Sequence, residues 1–218
     1  MSEQSDVSSG FLCVLLGSDG SGKTSLYNAI RHQRPEWKYI SAQPDELYPM
    51  SGLEYMNWAL ETHPRSYVKK LKPLTRSLFF MKTLAIEYEY HIKPALQGGR
   101  IVVCDSYFYR FLAKEMIQNT EGSKLFTHLR KFFPLPNLTL WMEVPAMVAY
   151  KRAQPLSSFE YGIDSSYSGF SDFQNQVQNL VREMVTGVPM HELDGARSVE
   201  ANCELVVEII ESANSADK

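Results

Sequence analysis

The sequence predicts an α/β fold in which a five-stranded parallel sheet is covered by helices on both faces. Three short apolar runs, at 11–16, 100–104 and 138–142, lack the polar alternation of strands with one wet face, so they are expected to be buried on both sides. Longer segments with helical periodicity separate these runs. This alternation of strand and helix is typical of parallel sheets, which bind ligands at the carboxyl ends of their strands.

The other elements follow in chain order between and after these three strands. Two shorter strands are expected at 39–40 and 190–193, which completes the sheet. No repeat or linker divides the chain, so we expect one domain over 11–212, with flexible segments at 1–10 and 213–218. Helices are expected at 22–33, 53–70, 75–97, 108–118, 122–132, 145–153, 170–186 and 198–212.

Composition excludes several classes of protein. The 218 residues carry 22 Lys and Arg against 25 Asp and Glu, and this slightly acidic balance argues against a nucleic-acid binder. The three cysteines, Cys13, Cys104 and Cys203, form no CxxC pair, so neither a disulfide framework nor a zinc site is expected, and a reducing, cytoplasmic setting fits. The longest apolar run is far shorter than the roughly 20 residues that a membrane span requires.

A phosphate-binding loop follows the first strand. Residues 17–24 read GSDGSGKT, which is the full GxxxxGK[ST] pattern, and a helical segment comes directly after it. Glycines let successive N–H groups point at phosphate oxygens, Lys23 would reach the β- and γ-phosphates, and the Thr24 hydroxyl would bind Mg²⁺. The residues expected to bind the nucleotide are Gly17, Ser18, Asp19, Gly20, Ser21, Gly22, Lys23, Thr24 and Ser25.

A nucleoside triphosphate site serves a switch, a motor or a kinase. No Asn/Thr-Lys-x-Asp motif for reading guanine is present, and a motor usually needs more chain. The small size and the early position of the loop favour a kinase that uses ATP and Mg²⁺ on a small acceptor.

A second candidate site lies at the end of the strand at 100–104. Asp105, Ser106 and Tyr107 follow that strand, and a carboxylate beside the phosphate loop is suited to hold Mg²⁺ or a water. The alternative is that Asp105 caps the following helix.

With these motifs the chain resembles the thymidylate kinase family of nucleoside monophosphate kinases, over nearly all of 11–212. The family's loop often carries an acidic residue where Asp19 stands. Residues 92–96 read IKPAL, and 98–107 read GGRIVVCDSY, much like the family's third helix, the turn after it and the strand leading to Asp-Arg-Tyr. The resemblance implies the P-loop kinase fold with a lid, here at about 153–171, and a homodimer formed through helices near 53–97.

The departures from the family concern the acceptor phosphate. Ser106 replaces the arginine of Asp-Arg-Tyr, Ala42 and Gln43 replace the arginine and the glutamate of Arg-Glu-Pro, and the arginine expected on the third helix falls on or near Leu84. Arginine is the side chain whose fork matches a phosphate, so its loss weakens binding of ordinary thymidylate. The substitute charge is expected from Arg76, Arg110 or Lys114, with Arg110 the first candidate; the alternative is that Arg110 is a solvated helix residue.

The family also places a catalytic arginine in the phosphate loop or the lid. Here Gly20 occupies the loop position, and 153–171 contains no Lys or Arg. Arg152, which borders the lid, is therefore the expected stabiliser of the transferring phosphoryl group, unless it is an ordinary cation at a helix end.

The missing arginines leave three functions open. The leading one is phosphoryl transfer to a nucleoside monophosphate with altered specificity. The second is transfer to a hydroxyl of a nucleoside or specialised metabolite, with Asp19, Asp45 or Asp105 as general base. The third is a non-catalytic nucleotide-binding module. In each case Phe80 and Tyr107 are the aromatic residues expected nearest an acceptor base.

Overall fold

A computed structural model of the protein describes residues 10–41, 72–118, 124, 127–128, 130–156, 158–162 and 164–216. Five parallel strands form one sheet in the order β2-β3-β1-β4-β5, which confirms the predicted architecture. The strands are β1 (Phe11–Gly17), β2 (Lys38–Ser41), β3 (Ile101–Asp105), β4 (Leu138–Glu143) and β5 (Met190–Asp194).

Helices pack on both faces of this sheet, as the alternation of segments predicted. No described helix is both long enough and apolar enough to cross a lipid bilayer. The helices are α1 (Lys23–Gln33), α2 (Pro73–Glu87), α3 (Lys93–Gln97), α4 (Tyr109–Gln118), α5 (Ala146–Arg152), α6 (Ser158–Tyr161), α7 (Tyr167–Met184) and α8 (Val199–Ala216), with a π-helical turn at Tyr88–Ile92 and a 3₁₀ turn at Arg130–Phe132. The helix expected at 53–70 lies outside the described residues, as does much of 122–132.

The central strand β1 explains why the protein has two core layers. All seven of its residues are buried, and successive side chains point to opposite faces. Leu12, Val14 and Leu16 join the layer that contains residues of α2, α4 and α7. Phe11 and Leu15 join the layer that contains residues of α1 and α8. A continuous apolar run therefore stabilises both faces of the sheet.

The register places the two predicted motifs side by side. Asp105, the last residue of β3, lies opposite Leu15 of β1 and Ser41 of β2. Because β1 continues to Gly17, the loop after β1 and the residues after Asp105 leave the same edge of the sheet. This edge is where parallel sheets bind ligands.

The helix expected at 170–186 begins three residues earlier, at Tyr167. Ser166 caps it, since its hydroxyl accepts a hydrogen bond from the backbone N–H of Gly169 at 3.1 Å. The range 153–171, predicted as a lid, thus contains the short helix α6 and the first turn of α7.

Candidate active site

Glycines with positive φ shape the loop that joins β1 to α1. Gly20 has φ +76° and Gly22 has φ +98°, a region that favours glycine. A side chain at Gly20 would also collide with the backbone carbonyl of Ala149. The loop therefore requires glycine here both for its backbone conformation and for its packing against α5.

Lys23, the first residue of α1, lies inside this loop. Its Nζ donates hydrogen bonds to the carbonyl oxygens of Gly17 at 3.0 Å and Ser18 at 2.5 Å, and to the hydroxyl of Ser21 at 3.2 Å. The residue is only 5% exposed, and burial lowers the pKa of its ammonium group to about 8, although the carboxylate of Asp105 opposes this shift. The loop thus holds a cation at its centre.

A cavity of about 540 Å³ opens over the loop and brings most of the predicted site residues together. It lies at the carboxyl ends of β1 and β3, as expected for this sheet. Its lining comprises Asp19, Gly20, Gly22, Lys23, Thr24, Ser25, Asp105, Ser106, Arg110, Phe111, Lys114, Arg152 and Glu160.

The turn after β3 has an unusual backbone. Ser106 has φ +66° and Tyr107 has φ +45°, values that residues other than glycine rarely adopt. The Ser106 hydroxyl donates to Oδ1 of Asp105 at 2.8 Å and accepts from Nη1 of Arg110 at 3.2 Å. These bonds fix Asp105 at the edge of the cavity and tie the turn to α4.

Two cationic side chains and an amide surround Asp19 in the cavity. Its Oδ1 accepts a hydrogen bond from Nη2 of Arg110, and its Oδ2 accepts one from Nζ of Lys114 at 3.0 Å and another from Nε2 of Gln174 at 2.8 Å. Burial lowers the pKa of Arg110 to about 10, so this guanidinium stays charged at neutral pH. Burial and the neighbouring Arg110 charge also lower the pKa of Lys114.

Two contributors to this region, Phe111 and Gln174, were not among the residues expected to form the site. Phe111 lines the cavity and packs against Phe80, with ring centroids 4.7 Å apart. Lys114, which was expected as a possible source of substitute charge, lies one turn beyond Arg110 on α4. Gln174 occupies a core-facing position of α7 together with Phe173 and Val177, so a polar residue within the apolar stripe was the available signal.

The expectation that Tyr107 lies near an acceptor base is corrected by the structure. Tyr107 is 5% exposed and belongs to the apolar core, where its ring contacts Phe108, Tyr109 and Phe133. It does not line the cavity, because the left-handed turn after β3 directs it among these rings. A contact between Tyr107 and an acceptor base is therefore no longer proposed.

The remaining predicted residues divide into two groups. Arg152 lines the cavity from the end of α5, and its Nη1 donates to the carbonyl oxygen of Gly195 at 3.1 Å. Gln43 and the side chain of Arg76 lie outside the described part of the chain.

The donor groups present fit a magnesium ion that is shared with substrate phosphates. The described residues contain no group of three or more His, Cys, Asp or Glu side chains that could enclose a metal by themselves. The Thr24 hydroxyl and the Asp105 carboxylate both border the cavity beside Lys23. Mg²⁺ in phosphoryl-transfer sites commonly takes only one or two protein oxygens, the rest coming from phosphates and water.

Comparison with known proteins identifies relatives over most of the chain. A thymidylate kinase of Chlamydia felis is 26% identical over 89% of this chain and 94% of its own length, and one of Chlamydia abortus is 30% identical over 67% and 71%. In a structure of a deoxyadenosine kinase from M. mycoides, the fold matches with a TM-score of 0.61, at 12% identity, over 93% of this chain and 99% of that one.

The family comparison agrees with these relatives. The model of the family described as thymidylate kinase matches residues 16–206, a range that contains the Lys23 loop, Asp105 and the whole of the lid range. Because the match spans most of the chain, this protein belongs to the thymidylate kinase family of ATP-dependent kinases.

Proposed function

We propose that this kinase transfers the γ-phosphoryl group of ATP to the phosphate of a nucleoside monophosphate, with an acceptor specificity different from that of ordinary thymidylate kinases. The observation that carries the proposal is the position of two cations, Arg110 and Lys114, one helical turn apart in the same cavity as Lys23. An acceptor phosphate carries close to two negative charges, and such cations offset them.

The contacts of Asp19 favour a phosphate over an alcohol as the acceptor. A hydroxyl needs a general base with a free oxygen, whereas a phosphate oxygen is already ionised. Both oxygens of the Asp19 carboxylate accept hydrogen bonds from cationic side chains, Arg110 and Lys114. An anion that enters the cavity competes for those cations, while an alcohol leaves Asp19 engaged.

On the donor side, the loop amides and Lys23 would bind the triphosphate. Thr24 and Asp105 would hold Mg²⁺, which supplies positive charge to the phosphate oxygens when it is bound. Arg152 is the proposed stabiliser of the transferring group; it lines the cavity and donates a hydrogen bond to the Gly195 carbonyl oxygen. Its planar guanidinium suits a phosphoryl group better than an ammonium does.

The expected difference in specificity follows from the position of the arginine that would bind the acceptor phosphate. Family members resembling this chain carry an arginine where Ser106 stands, whereas here Arg110 reaches the Ser106 hydroxyl from the next helical turn. The guanidinium of an arginine on α4 is expected to occupy a different position from that of an arginine in the turn after β3. We therefore expect thymidylate to be a poor acceptor and another monophosphate to be preferred.

The experiment measures ATP turnover with a panel of nucleoside monophosphates, nucleosides and sugar alcohols. Turnover confined to monophosphates supports the proposal, turnover on hydroxyls supports the alternative acceptor class, and ATP retention without transfer indicates a binding module. Lys23→Ala should lose ATP retention. Arg110→Met should raise the acceptor KM by about tenfold or more, the equivalent of one charged hydrogen bond.

A matched control for Arg110→Met is Lys93→Met, which removes a surface cation that pairs only with Glu89 among its described partners. It should leave both Michaelis constants unchanged. If Lys93→Met and Arg110→Met act alike, the assignment of Arg110 to the acceptor is wrong.

We further propose that the protein works as a cytoplasmic homodimer. Its three cysteines, Cys13, Cys104 and Cys203, are free and buried, a state suited to a reducing compartment. The proposed dimer uses the helices near 53–97, of which only α2 and the segments after it are described.

A further inference from the structure

A buried amide on α7 joins parts of the site that are far apart in the sequence. Gln174 is 2% exposed and shares the core-facing side of α7 with Phe170, Phe173 and Val177. A polar side chain in such surroundings has to find its hydrogen bonds within the protein. Because Gln174 lies in an apolar stripe, it must form hydrogen bonds with specific polar groups of the protein.

Both polar atoms of this amide are hydrogen-bonded, in three bonds in all. Its Oε1 accepts from the backbone N–H of Asp19 at 3.0 Å. Its Nε2 donates to Oδ2 of Asp19 and to the carbonyl oxygen of Glu160, both at 2.8 Å. One side chain thus fixes the backbone and the carboxylate of a loop residue and, at the same time, the backbone of α6.

We propose that Gln174 is a positioning residue, which orients the Asp19 carboxylate against Arg110 and Lys114 and couples that orientation to the placement of α6. Gln174 does not line the cavity over the loop, but Asp19 and Glu160, to which it is hydrogen-bonded, both do. The inference rests on the proposed function for the acceptor, although the contacts themselves do not depend on it.

The consequence concerns competition for the two cations. Without the amide, the carboxylate of Asp19 loses its neutral partner and turns fully toward Arg110 and Lys114. An acceptor anion must then displace a tighter ion pair. Removal of the amide should therefore weaken acceptor binding far more than ATP binding, since Lys23 keeps its own contacts with the loop.

The first test compares Gln174→Met with Gln178→Met in the full-length protein. Methionine has a similar length and suits an apolar stripe, so Gln174→Met should fold. Gln178 lies one turn further along α7, which makes it a matched control. In the ligand-free protein, amide exchange at Asp19 and at 160–162 should become about tenfold faster in Gln174→Met only, in keeping with the loss of a hydrogen bond to a charged group.

The kinetic readout separates positioning from packing. In Gln174→Met the KM for the best monophosphate should rise about tenfold, while the KM for ATP should change by less than about twofold. A merely structural role would shift both constants together or lower only the melting temperature.

A second variant, Gln174→Glu, makes the acceptor KM depend on pH, which a change in packing alone would not do. The charged groups around this position are Asp19, which Gln174 contacts directly, the cations Arg110 and Lys114 that bind Asp19, and the Glu160 carboxylate, which interacts with both cations. When ionised, the new carboxylate repels Asp19; when protonated, its O–H can donate to Asp19 again. The acceptor KM should therefore be raised at pH 8 and recover toward the wild-type value as the pH falls to about 5.5.

Two results would overturn the inference: equal exchange rates in Gln174→Met and Gln178→Met, or a defect of Gln174→Glu that does not change with pH. If the wild-type protein phosphorylates no monophosphate, the proposed function fails. In that case the exchange comparison, which uses no substrate, still decides whether Gln174 positions Asp19.

Discussion

At Asp19, one carboxylate is shared by two buried cations and an amide. Arg110 and Lys114 are both largely removed from water, and isolated buried charges are costly. In the ligand-free protein Asp19 supplies the negative charge that they need. An entering phosphate would provide the same charge, so we propose that a substrate phosphate takes the place of Asp19 as the partner of these cations.

This arrangement predicts the effect of Asp19→Asn. The substitution keeps the shape of the side chain but leaves Arg110 and Lys114 without its charge. The free energy of unfolding should fall by about 3 kcal/mol, as expected when one partner of a buried ion pair is removed. Urea denaturation measures this loss.

Inorganic phosphate provides the check on Asp19→Asn. Because phosphate can replace the missing charge, it should raise the stability of Asp19→Asn more than that of the wild type. An unchanged stability, or an equal response to phosphate, would contradict the account of Asp19.

The buried ammonium of Lys23 predicts how catalysis depends on pH. Its pKa is lowered to about 8, so the group is charged at neutral pH and loses its proton as the pH rises through that value. Phosphate binding needs the charge. The kcat/KM for ATP should therefore be constant near pH 7 and decline above pH 8, by up to about tenfold per pH unit.

The other lysine in the cavity lining, Lys114, has to be excluded as the source of this decline in kcat/KM. Lys114→Met should retain the same alkaline limb, because Lys114 bonds to the Asp19 carboxylate whereas Lys23 is held by the carbonyl oxygens of Gly17 and Ser18. A profile that stays flat to pH 9.5, or one that loses its limb in Lys114→Met, would show that Lys23 is not the group responsible.

At the scale of secondary-structure elements, the sequence predicted best what depends on local patterns. The apolar runs of β1 and β3 determine their own conformation, so the sheet was predicted correctly. Phosphate binding by the loop after β1 stays a prediction. The contacts of Gln174 and the burial of Tyr107 depend on how α7 and the turn after β3 pack, and periodicity gives no orientation for a single polar or aromatic residue.

The junction of α2 with the edge strand β2 contains a buried acid that lies outside the cavity over the loop. Glu87 ends α2 and is 9% exposed, and its Oε2 has no hydrogen-bond partner among the described residues. Burial raises its pKa to about 7, although Lys38 of β2 opposes the shift. The folded state therefore favours the protonated acid, and the stability this confers is lost as the pH rises from about 4.5 through 7.

Replacing this acid tests the junction directly. Glu87→Gln removes the charge that forms on ionisation, so the variant should be more stable than the wild type at pH 8 by about 1–2 kcal/mol. The advantage should disappear by pH 5, where the wild-type carboxyl is protonated. Thermal unfolding at the two pH values measures the difference, and an equal effect at both would mean that ionisation of Glu87 is not the cause.

At the scale of the whole molecule, the site is assembled from distant parts of the chain. The loop after β1, the turn after β3, and helices α4, α5 and α7 all meet at one edge of the sheet. Parallel strands make this possible, because their carboxyl ends align even when their sequences are far apart. The side chains that bind one another there, Asp19 and Gln174, are separated by most of the domain.

The exposed face of α2 predicts self-association. Leu74 and Leu78 lie one helical turn apart and are 44% and 48% exposed, so their burial in a symmetric contact would be favourable.

Leu78→Glu places a charge in that contact without disturbing the core of a single copy. Sedimentation velocity should then find twice the chain mass for the wild type and the single-chain mass for Leu78→Glu. Leu78→Gln, which removes the apolar contact without adding a charge, separates the loss of apolar contact from the effect of charge. If the wild type sediments as a single chain at micromolar concentration, the dimer proposed through this face does not exist, and the site must function within one copy.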